Sequence, residues 1–161
     1  MAKIERVPLT QEGYDKMKQE INQLKSVERP RIVQEIEEAR AHGDLSENAE
    51  YHAAKEKMGH VMGRIQDLEH QYSKAEVIDP KKMIGQTKVM FGAKVNLLDV
   101  NTDEEISYQI VGDYEASIEN GKISVSSPIA RAIIGKNLGD TVSVKAPKGI
   151  RELEIVGVVY G

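Results

Sequence analysis

The sequence predicts an α+β protein in which a long antiparallel coiled-coil hairpin of helices precedes a small β-rich domain with one short helix. Apolar residues recur at alternating steps of three and four up to about residue 78, which indicates paired helices. Beyond Pro80 the apolar residues recur at steps of two, which is typical of strands. The 161 residues suffice for two small domains. We therefore predict a hairpin over residues 1–78 and a globular domain over 79–161.

The first arm of the hairpin is predicted to begin at Thr10, because threonine is a favoured helix N-cap. Its apolar stripe comprises Tyr14, Met17, Ile21 and Leu24. Pro30 lies within this arm and lacks an amide hydrogen, so we expect a bend or a register shift between Val27 and Pro30. The stripe then resumes at Ile32 or Val33, Ile36 and Ala39.

The second arm carries an uninterrupted stripe of the same spacing. Its members are Tyr51, Ala54, Met58, Val61, Ile65, Leu68, Tyr72 and Ala75. Between the arms we expect a reversal at residues 41–43, since Gly43 can adopt the left-handed conformation of a tight turn. An arm of about 30 residues is about 45 Å long at the helical rise of about 1.5 Å. Residues 41–47 should therefore lie at the far end of a long, thin projection.

The second half is predicted to contain five strands and one helix. The strands are expected near residues 93–100, 106–111, 122–125, 141–144 and 152–159. Turn-forming residues separate them, for example at 101–103, 119–121 and 147–149. The helix is expected over residues 129–134, with Ser127 as its cap and Pro128 in its first turn.

Composition excludes several classes of protein. The chain has no cysteine, which excludes disulfides, thiolate zinc sites and cysteine nucleophiles and suits the reducing cytoplasm. It has no apolar stretch of about 18 residues and no apolar core of a signal peptide, so we expect a cytoplasmic protein without membrane contact. A net charge of −4 argues against bulk coating of nucleic acid, so any such contact must be local.

The far end of the hairpin is the main candidate site, because Asp44 and Glu47 stand three residues apart there. In one interpretation they cap the start of the second helix. In the other, they enter another molecule's cavity and share a hard cation such as Mg²⁺. Arg40 and Lys55 suit phosphate contacts beside this end, although exposed helix surfaces commonly carry such charges.

Two other candidate sites fail on spacing. The four histidines are ten, eight and ten residues apart, which does not place them on one face of a helix as metal ligands would require. Ser127 has no surrounding G-x-S-x-G sequence, so helix capping explains it better than nucleophilic catalysis.

Two segments resemble the bacterial transcript-cleavage elongation factors of the GreA/GreB family. Residues 38–56 (EARAHGDLSENAEYHAAKE) resemble the family's hairpin tip, and residues 124–136 (SVSSPIARAIIGK) resemble its C-terminal S-x-x-S-P motif. Together with the two-part layout, the likeness covers essentially the whole chain. It is closer to the GreA branch, since the GreB branch usually has a more extensive basic surface along the hairpin. The resemblance implies an FKBP-like C-terminal domain.

The resemblance also implies a cofactor of RNA polymerase that is not itself an enzyme. In the family the coiled coil enters the polymerase secondary channel and stimulates the polymerase's own cleavage of the backtracked nascent RNA 3′ end, which rescues arrested complexes. Asp44 and Glu47 match the tip carboxylates, and Arg40 and Lys55 match the basic patch for the RNA 3′ end. A loop associated with polymerase docking is matched by Ser127, Pro128 and Ile129.

The implied mechanism uses Mg²⁺ that the factor shares with the polymerase, while the free factor, expected to be a monomer, has no cofactor or metal site of its own. Two solvated carboxylates cannot complete an octahedral site. Two alternatives remain at this point. One is a channel-blocking inhibitor of the same family. The other is a prolyl isomerase or chaperone, which the few aromatic residues of the second half disfavour: Phe91, Tyr108, Tyr114 and Tyr160.

Overall fold

A computed structural model describes residues 6–43 and 48–161 of the chain. Its helices are α1 (Gln11–Gln23), α2 (Arg29–Arg40), α3 (Ala49–Ser73) and α4 (Pro128–Ile133), with a π-helical segment, Leu24–Glu28, between α1 and α2. Its strands are β1 (Val7–Thr10), β2 (Ala75–Ile78), β3 (Lys94–Asp99), β4 (Glu105–Val111), β5 (Lys122–Ser124), β6 (Thr141–Ala146) and β7 (Gly149–Val159). No helix among the described residues is long and apolar enough to cross a membrane.

The chain forms two compact units. One contains Tyr14–Ala75, and the other combines Val7–Gly13 with Glu76–Gly161. The division into residues 1–78 and 79–161 stays a prediction. It assigns β1 to the hairpin, whereas the contacts in the structure group β1 with the β-rich unit. Thr10 caps the start of α1 as predicted, because its Oγ1 accepts a hydrogen bond from the Gly13 amide at 3.1 Å.

The first unit confirms the predicted helical hairpin. Tyr14 and Tyr72 stack with ring centroids 4.6 Å apart, and Lys57 pairs with Glu35 at 3.3 Å, as expected for antiparallel arms. The buried members of the stripe are Met17, Ile21, Ile32, Ala39, Ala54, Ile65 and Leu68. Burial of this stripe, more than intrinsic propensity, stabilises such helices in water.

The predicted register shift in the first arm is a π-helical segment, Leu24–Glu28. The amide of Arg29 donates to the carbonyl of Leu24, five residues back, so one extra residue is accommodated in the turn. The apolar stripe moves along by one position as a result. Ile32 is therefore buried at 4% exposure, whereas Val33 is 43% exposed. Pro30 falls in the first turn of α2, where its missing amide hydrogen costs little.

The second unit is built on a five-stranded sheet with the order β5-β4-β3-β7-β6. Neighbouring strands are antiparallel except β4 and β5, which are parallel. Alternate residues of the sheet and two residues of α4 form one core, in which Val95, Leu97, Ile110, Ala130, Ile133, Leu153 and Ile155 are fully buried. All five strands and the single α-helix that the sequence predicts in this half are confirmed. The two-stranded sheet of β1 and β2 was not predicted.

Gly59 of α3 offers a test of hairpin stability. It is exposed, and a Cβ added there would meet nothing within 4 Å. We expect Gly59→Ala to raise the free energy of unfolding of the hairpin by about 0.5–1 kcal/mol, because alanine restricts the unfolded chain more than glycine does. Urea unfolding followed by far-UV circular dichroism measures the change.

Gly43→Ala is the matched control for this substitution. Gly43 is equally open but has a φ of +120°, a conformation that alanine adopts only with strain. We expect Gly43→Ala to leave stability unchanged or lower it. Equal stabilisation by both variants would contradict the assignment of the effect to helical backbone conformation.

Candidate functional site

The helical hairpin reverses next to Gly43. Helix α2 ends at Arg40, and the amide of Gly43 donates to the Arg40 carbonyl at 3.4 Å with a φ of +120°. The predicted break at residues 41–43 is thus confirmed. Asp44 and Glu47, the predicted tip carboxylates, lie outside the described residues. In the sequence they lie between Gly43 and Asn48.

The N-cap of α3 is Asn48. Its backbone is extended, and its side-chain Oδ1 accepts a hydrogen bond from the Tyr51 amide at 3.1 Å. The capping interpretation of the sequence placed Asp44 at the start of this helix. That interpretation is wrong for α3, which begins at Ala49 and is capped by the residue directly before it.

Asn48 also connects the two arms. Its Nδ2 donates a hydrogen bond of 2.5 Å to the carbonyl of Ala39 in the last turn of α2. The Ala39 carbonyl also accepts a hydrogen bond from the His42 amide at 3.2 Å, so the Asn48 side chain adds a second donor, from the other arm, to this carbonyl. The sequence pattern did not single out Asn48. The only local signal was that asparagine is a favoured N-cap.

Arg40 and Lys55, predicted to contact RNA, lie at the same end of the hairpin. Both side chains are exposed, and each directly follows a buried alanine of the helix contact, Ala39 or Ala54. The Lys55 Nζ lies 5.2 Å from the centre of the Tyr51 ring, a favourable cation–π distance. The two cations therefore flank the reversal from opposite arms.

The described part of the hairpin end does not itself form a metal site. Within residues 6–43 and 48–161 there is no group of three or more histidine or acidic side chains arranged to hold a metal ion. A shallow groove beside the reversal is lined by Glu35, Glu38, His42, Glu50 and Lys57, among others. Its carboxylates are dispersed along the two arms, and Glu35 already pairs with Lys57.

The predicted docking loop lies at the start of α4. The Oγ of Ser127 accepts a hydrogen bond from the Ala130 amide at 3.3 Å, which confirms its predicted role as the helix cap. Pro128 occupies the first turn, and Ile129 is half-buried. These three residues line one side of an apolar cavity of about 260 Å³. The opposite side includes Tyr108, Ile118, Val144, Pro147 and Arg151.

This cavity has features of a binding surface for a partner. Ile118, which also lines the cavity, is 77% exposed and adjoins its apolar lining. Arg151 and Lys145 bring positive charge to a lining that is otherwise mainly apolar. The structure thus groups the three predicted docking residues with an apolar pocket whose other residues the sequence analysis did not identify.

Arg151 is held in place by Asp99 of β3. Asp99 is only 5% exposed, and its Oδ2 lies 3.3 Å from the Arg151 Nε. The pKa of Asp99 is lowered, chiefly by the hydrogen bond from the Asn101 amide and further by Arg151 and the Thr102 amide, although burial acts in the opposite direction. The ionised carboxylate is therefore the form that the fold stabilises.

The lowered pKa of Asp99 predicts a pH-dependent contribution to stability. The carboxylate stabilises the fold when ionised, above its ordinary pKa of 3.8, and this contribution is lost as the pH falls through the lower pKa of the folded state. We expect Asp99→Asn to be less stable than the parent at neutral pH, with the difference narrowing in acid. Urea unfolding at several pH values measures it; a difference independent of pH would contradict the assignment.

Comparisons with known proteins agree with the two-part structure. Residues 7–77 match the family model "Transcription elongation factor, N-terminal", and residues 84–160 match "Transcription elongation factor, GreA/GreB, C-term". The chain is 57% identical to the transcription elongation factor GreA of Alkalilimnicola ehrlichii over 155 residues, covering 96% of this chain and 98% of that protein. It is 54% identical to GreA of Neisseria meningitidis, covering 98% of this chain and 99% of that protein.

Solved structures with similarity to the chain include the GreA factor homolog 1 protein of Thermus thermophilus. It is 28% identical with a TM-score of 0.44, and the match covers 96% of this chain and 99% of that one. A GreA/GreB factor from Nitrosomonas europaea is 21% identical with a TM-score of 0.43, covering 96% of this chain and 100% of that one.

Proposed function

Because the chain belongs to the GreA/GreB family of transcription elongation factors, we propose that it binds RNA polymerase and stimulates the polymerase's own cleavage of nascent RNA in backtracked complexes. In this proposal the helical hairpin enters the polymerase's secondary channel, and the factor is not an enzyme by itself. The free factor is a monomer without a cofactor of its own.

The observation that carries this proposal is the arrangement at the end of the hairpin. Exposed cations on both arms, Arg40 and Lys55, flank the chain positions of Asp44 and Glu47. The N-cap of α3 is Asn48, which follows both carboxylates in the chain. Two anionic side chains between two cations suit a site where a metal ion and an RNA backbone meet.

Asp44 and Glu47 fit a role as partial ligands of Mg²⁺. Magnesium in proteins is commonly held by one or two carboxylates, with the remaining positions filled by water or phosphate oxygens. Mg²⁺ bound at the polymerase active centre supplies an activated water for phosphodiester hydrolysis. In our proposal Asp44 and Glu47 would hold a Mg²⁺ ion jointly with ligands from the polymerase and would orient the water that this ion activates.

Arg40 and Lys55 are proposed to hold the displaced RNA 3′ segment beside the reacting bond. Both side chains are exposed and free to follow a phosphate backbone. Arginine binds a phosphate with two parallel hydrogen bonds, whereas lysine acts as a point charge. Arg40 is thus expected to fix the geometry of the RNA more strongly than Lys55, which mainly adds attraction.

The apolar cavity beside α4 is proposed to contact the rim of the channel. Ser127, Pro128 and Ile129 line it, and its exposed Ile118 supplies apolar area that association would cover. This contact would supply affinity without taking part in chemistry. The two functions of the chain are then divided between its two units.

A cleavage assay on one stalled complex tests the proposed function. Elongation complexes backtracked on a defined template are incubated with the factor and Mg²⁺, and the RNA is sized on a denaturing gel. We expect RNA shortened at its 3′ end and complexes that resume elongation. Full-length RNA together with reduced elongation would instead identify a channel-blocking inhibitor of the same family and overturn the proposal.

A further inference from the structure

We infer that Asn48 is a positioning residue that sets the spacing of Arg40 and Lys55 by joining the ends of α2 and α3. This inference rests on the proposed function, because the spacing matters only if the hairpin end engages RNA. Asn48 itself is not proposed to touch the RNA, the metal or the reacting atoms.

Both the oxygen and the nitrogen of the Asn48 side-chain amide form hydrogen bonds. Oδ1 accepts from the Tyr51 amide at 3.1 Å, and Nδ2 donates to the Ala39 carbonyl at 2.5 Å. Only asparagine, among the common N-cap residues, combines a strong acceptor for the cap with an amide donor on the same short side chain. The two bonds also define which amide atom faces which arm.

The two partners of Asn48 each support one of the cations. Ala39 directly precedes Arg40 in the chain and is 3% exposed, so the Asn48 bond is made to a fixed point of α2. The Tyr51 amide lies in the first turn of α3, and the Tyr51 ring lies 5.2 Å from the Lys55 Nζ. A continuous path of covalent and non-covalent contacts thus runs from Arg40 through Ala39, Asn48 and Tyr51 to Lys55.

Among the described residues, the apolar contact between the arms is small near the reversal. The buried residues nearest the reversal are the alanines Ala39 and Ala54, which contribute much less apolar area than the larger side chains further along the hairpin. The end of a two-helix hairpin is also where helices fray most readily. A side-chain bond across the arms therefore limits motion where the proposed function requires precision.

Two substitutions remove the bridge but keep the cap. Asn48→Asp and Asn48→Ser both retain an oxygen that can accept from the Tyr51 amide, whereas aspartate has no donor and serine is too short to reach the other arm as well. We expect both variants to lower the rate of RNA cleavage at saturating factor by about tenfold or more, since misplacement by about 1 Å can cost about a hundredfold. The concentration for half-maximal cleavage should stay near that of the parent.

Controls separate loss of the bridge from other causes. Ala53→Ser, at an exposed position of the same helix, is expected to cleave at the parent rate. Far-UV circular dichroism should show equal helix content in all variants. If only Asn48→Asp is impaired, its added negative charge explains the result and the inference is overturned. Parent-like cleavage by both Asn48 variants overturns it as well.

A double-mutant cycle with Arg40→Ala tests whether Asn48 acts through the cations. If the bridge positions Arg40, the effects of Arg40→Ala and Asn48→Ser on cleavage rate are expected to be markedly less than multiplicative in combination. Fully independent effects would overturn the inference while leaving the proposed function intact. Absence of cleavage with the parent protein overturns both.

Discussion

Asp44→Asn is expected to lower the rate of stimulated RNA cleavage by about a hundredfold or more. The substitution keeps the size of the side chain but removes the negative charge proposed to retain Mg²⁺, and loss of one charge-stabilising group in an active site commonly costs about 10²–10³ in rate. Helix content should not change, because the N-cap of α3 is Asn48. Single-turnover cleavage in one defined backtracked complex measures the effect.

We expect the loss of cleavage rate in Asp44→Asn to result from weaker retention of Mg²⁺ and not from weaker binding to the polymerase. Raising the Mg²⁺ concentration should restore part of the rate, since a weakened site fills at higher free metal. Competition against labelled parent factor should show unchanged binding to the polymerase. A variant that cleaves at nearly the parent rate in ordinary Mg²⁺ would mean that the carboxylate of Asp44 is not part of the chemistry.

Gly112→Ala is expected to destabilise the β-rich unit by about 2 kcal/mol or more. A Cβ at this position would lie 2.3 Å from the carbonyl oxygen of Pro8 and 3.2 Å from the Leu9 side chain. Backbone cannot move aside as a flexible side chain can, and overpacking of this kind typically costs about 1–3 kcal/mol, occasionally more. Either β1 is displaced or the turn before Asp113 distorts.

The same substitution disturbs a hydrogen-bond network centred on Glu115. Its carboxylate accepts from the amides of Thr10 at 3.0 Å and Gly112 at 3.1 Å, and from the Thr10 hydroxyl. Chemical unfolding followed by Tyr fluorescence and hydrogen exchange of β1 amides measures the loss. Gly59→Ala serves as a control for the added methyl group. Parent stability in Gly112→Ala would show that β1 does not require this close approach.

The apolar periodicity was sufficient to predict the hairpin and the five strands of the second half. Seven-residue spacing and strict alternation reflect burial of one face, and residues such as Leu68 and Leu153 are fully buried where the patterns place them. A register shift was predicted between Val27 and Pro30 because Pro30 disfavours a continuous helix, and the π-helical segment overlaps that range but begins earlier, at Leu24. The π-helical segment also explains why Ile32, and not Val33, continues the buried stripe, a choice that the sequence left open.

The strands β1 and β2 could not be predicted in the same way. Each has only four residues, and the two lie at the ends of long helical patterns, so local periodicity assigned them to the hairpin. Their pairing joins segments far apart in the chain. The same limitation applies to the apolar cavity, which combines α4 with Tyr108 and Pro147 from separate parts of the second half.

The role of Asn48 was hidden by a competing local pattern. Asp44 followed by Glu47 has the spacing of a capping box, which drew the predicted helix start toward position 44. The helix starts later, at a second residue of equally favourable type, and only the tertiary contact with Ala39 distinguishes it. A sequence records the propensity for a cap but not a bond to the other arm.

The discontinuous β-rich unit implies an order of synthesis and folding. Thr10 leaves the ribosome long before Glu115, which stands 105 residues later, so the hydrogen bonds from Thr10 to the Glu115 carboxylate form late. The hairpin between them has mainly local connections and can form early. Once Tyr14 and Tyr72 stack, the folded hairpin closes the long chain segment between β1 and β2. Formation of the helices has then already met the entropic cost of bringing the two strands together. Nascent chains truncated before Glu115 should therefore contain a folded hairpin and paired β1 and β2, but not the hydrogen bonds from Thr10 to Glu115.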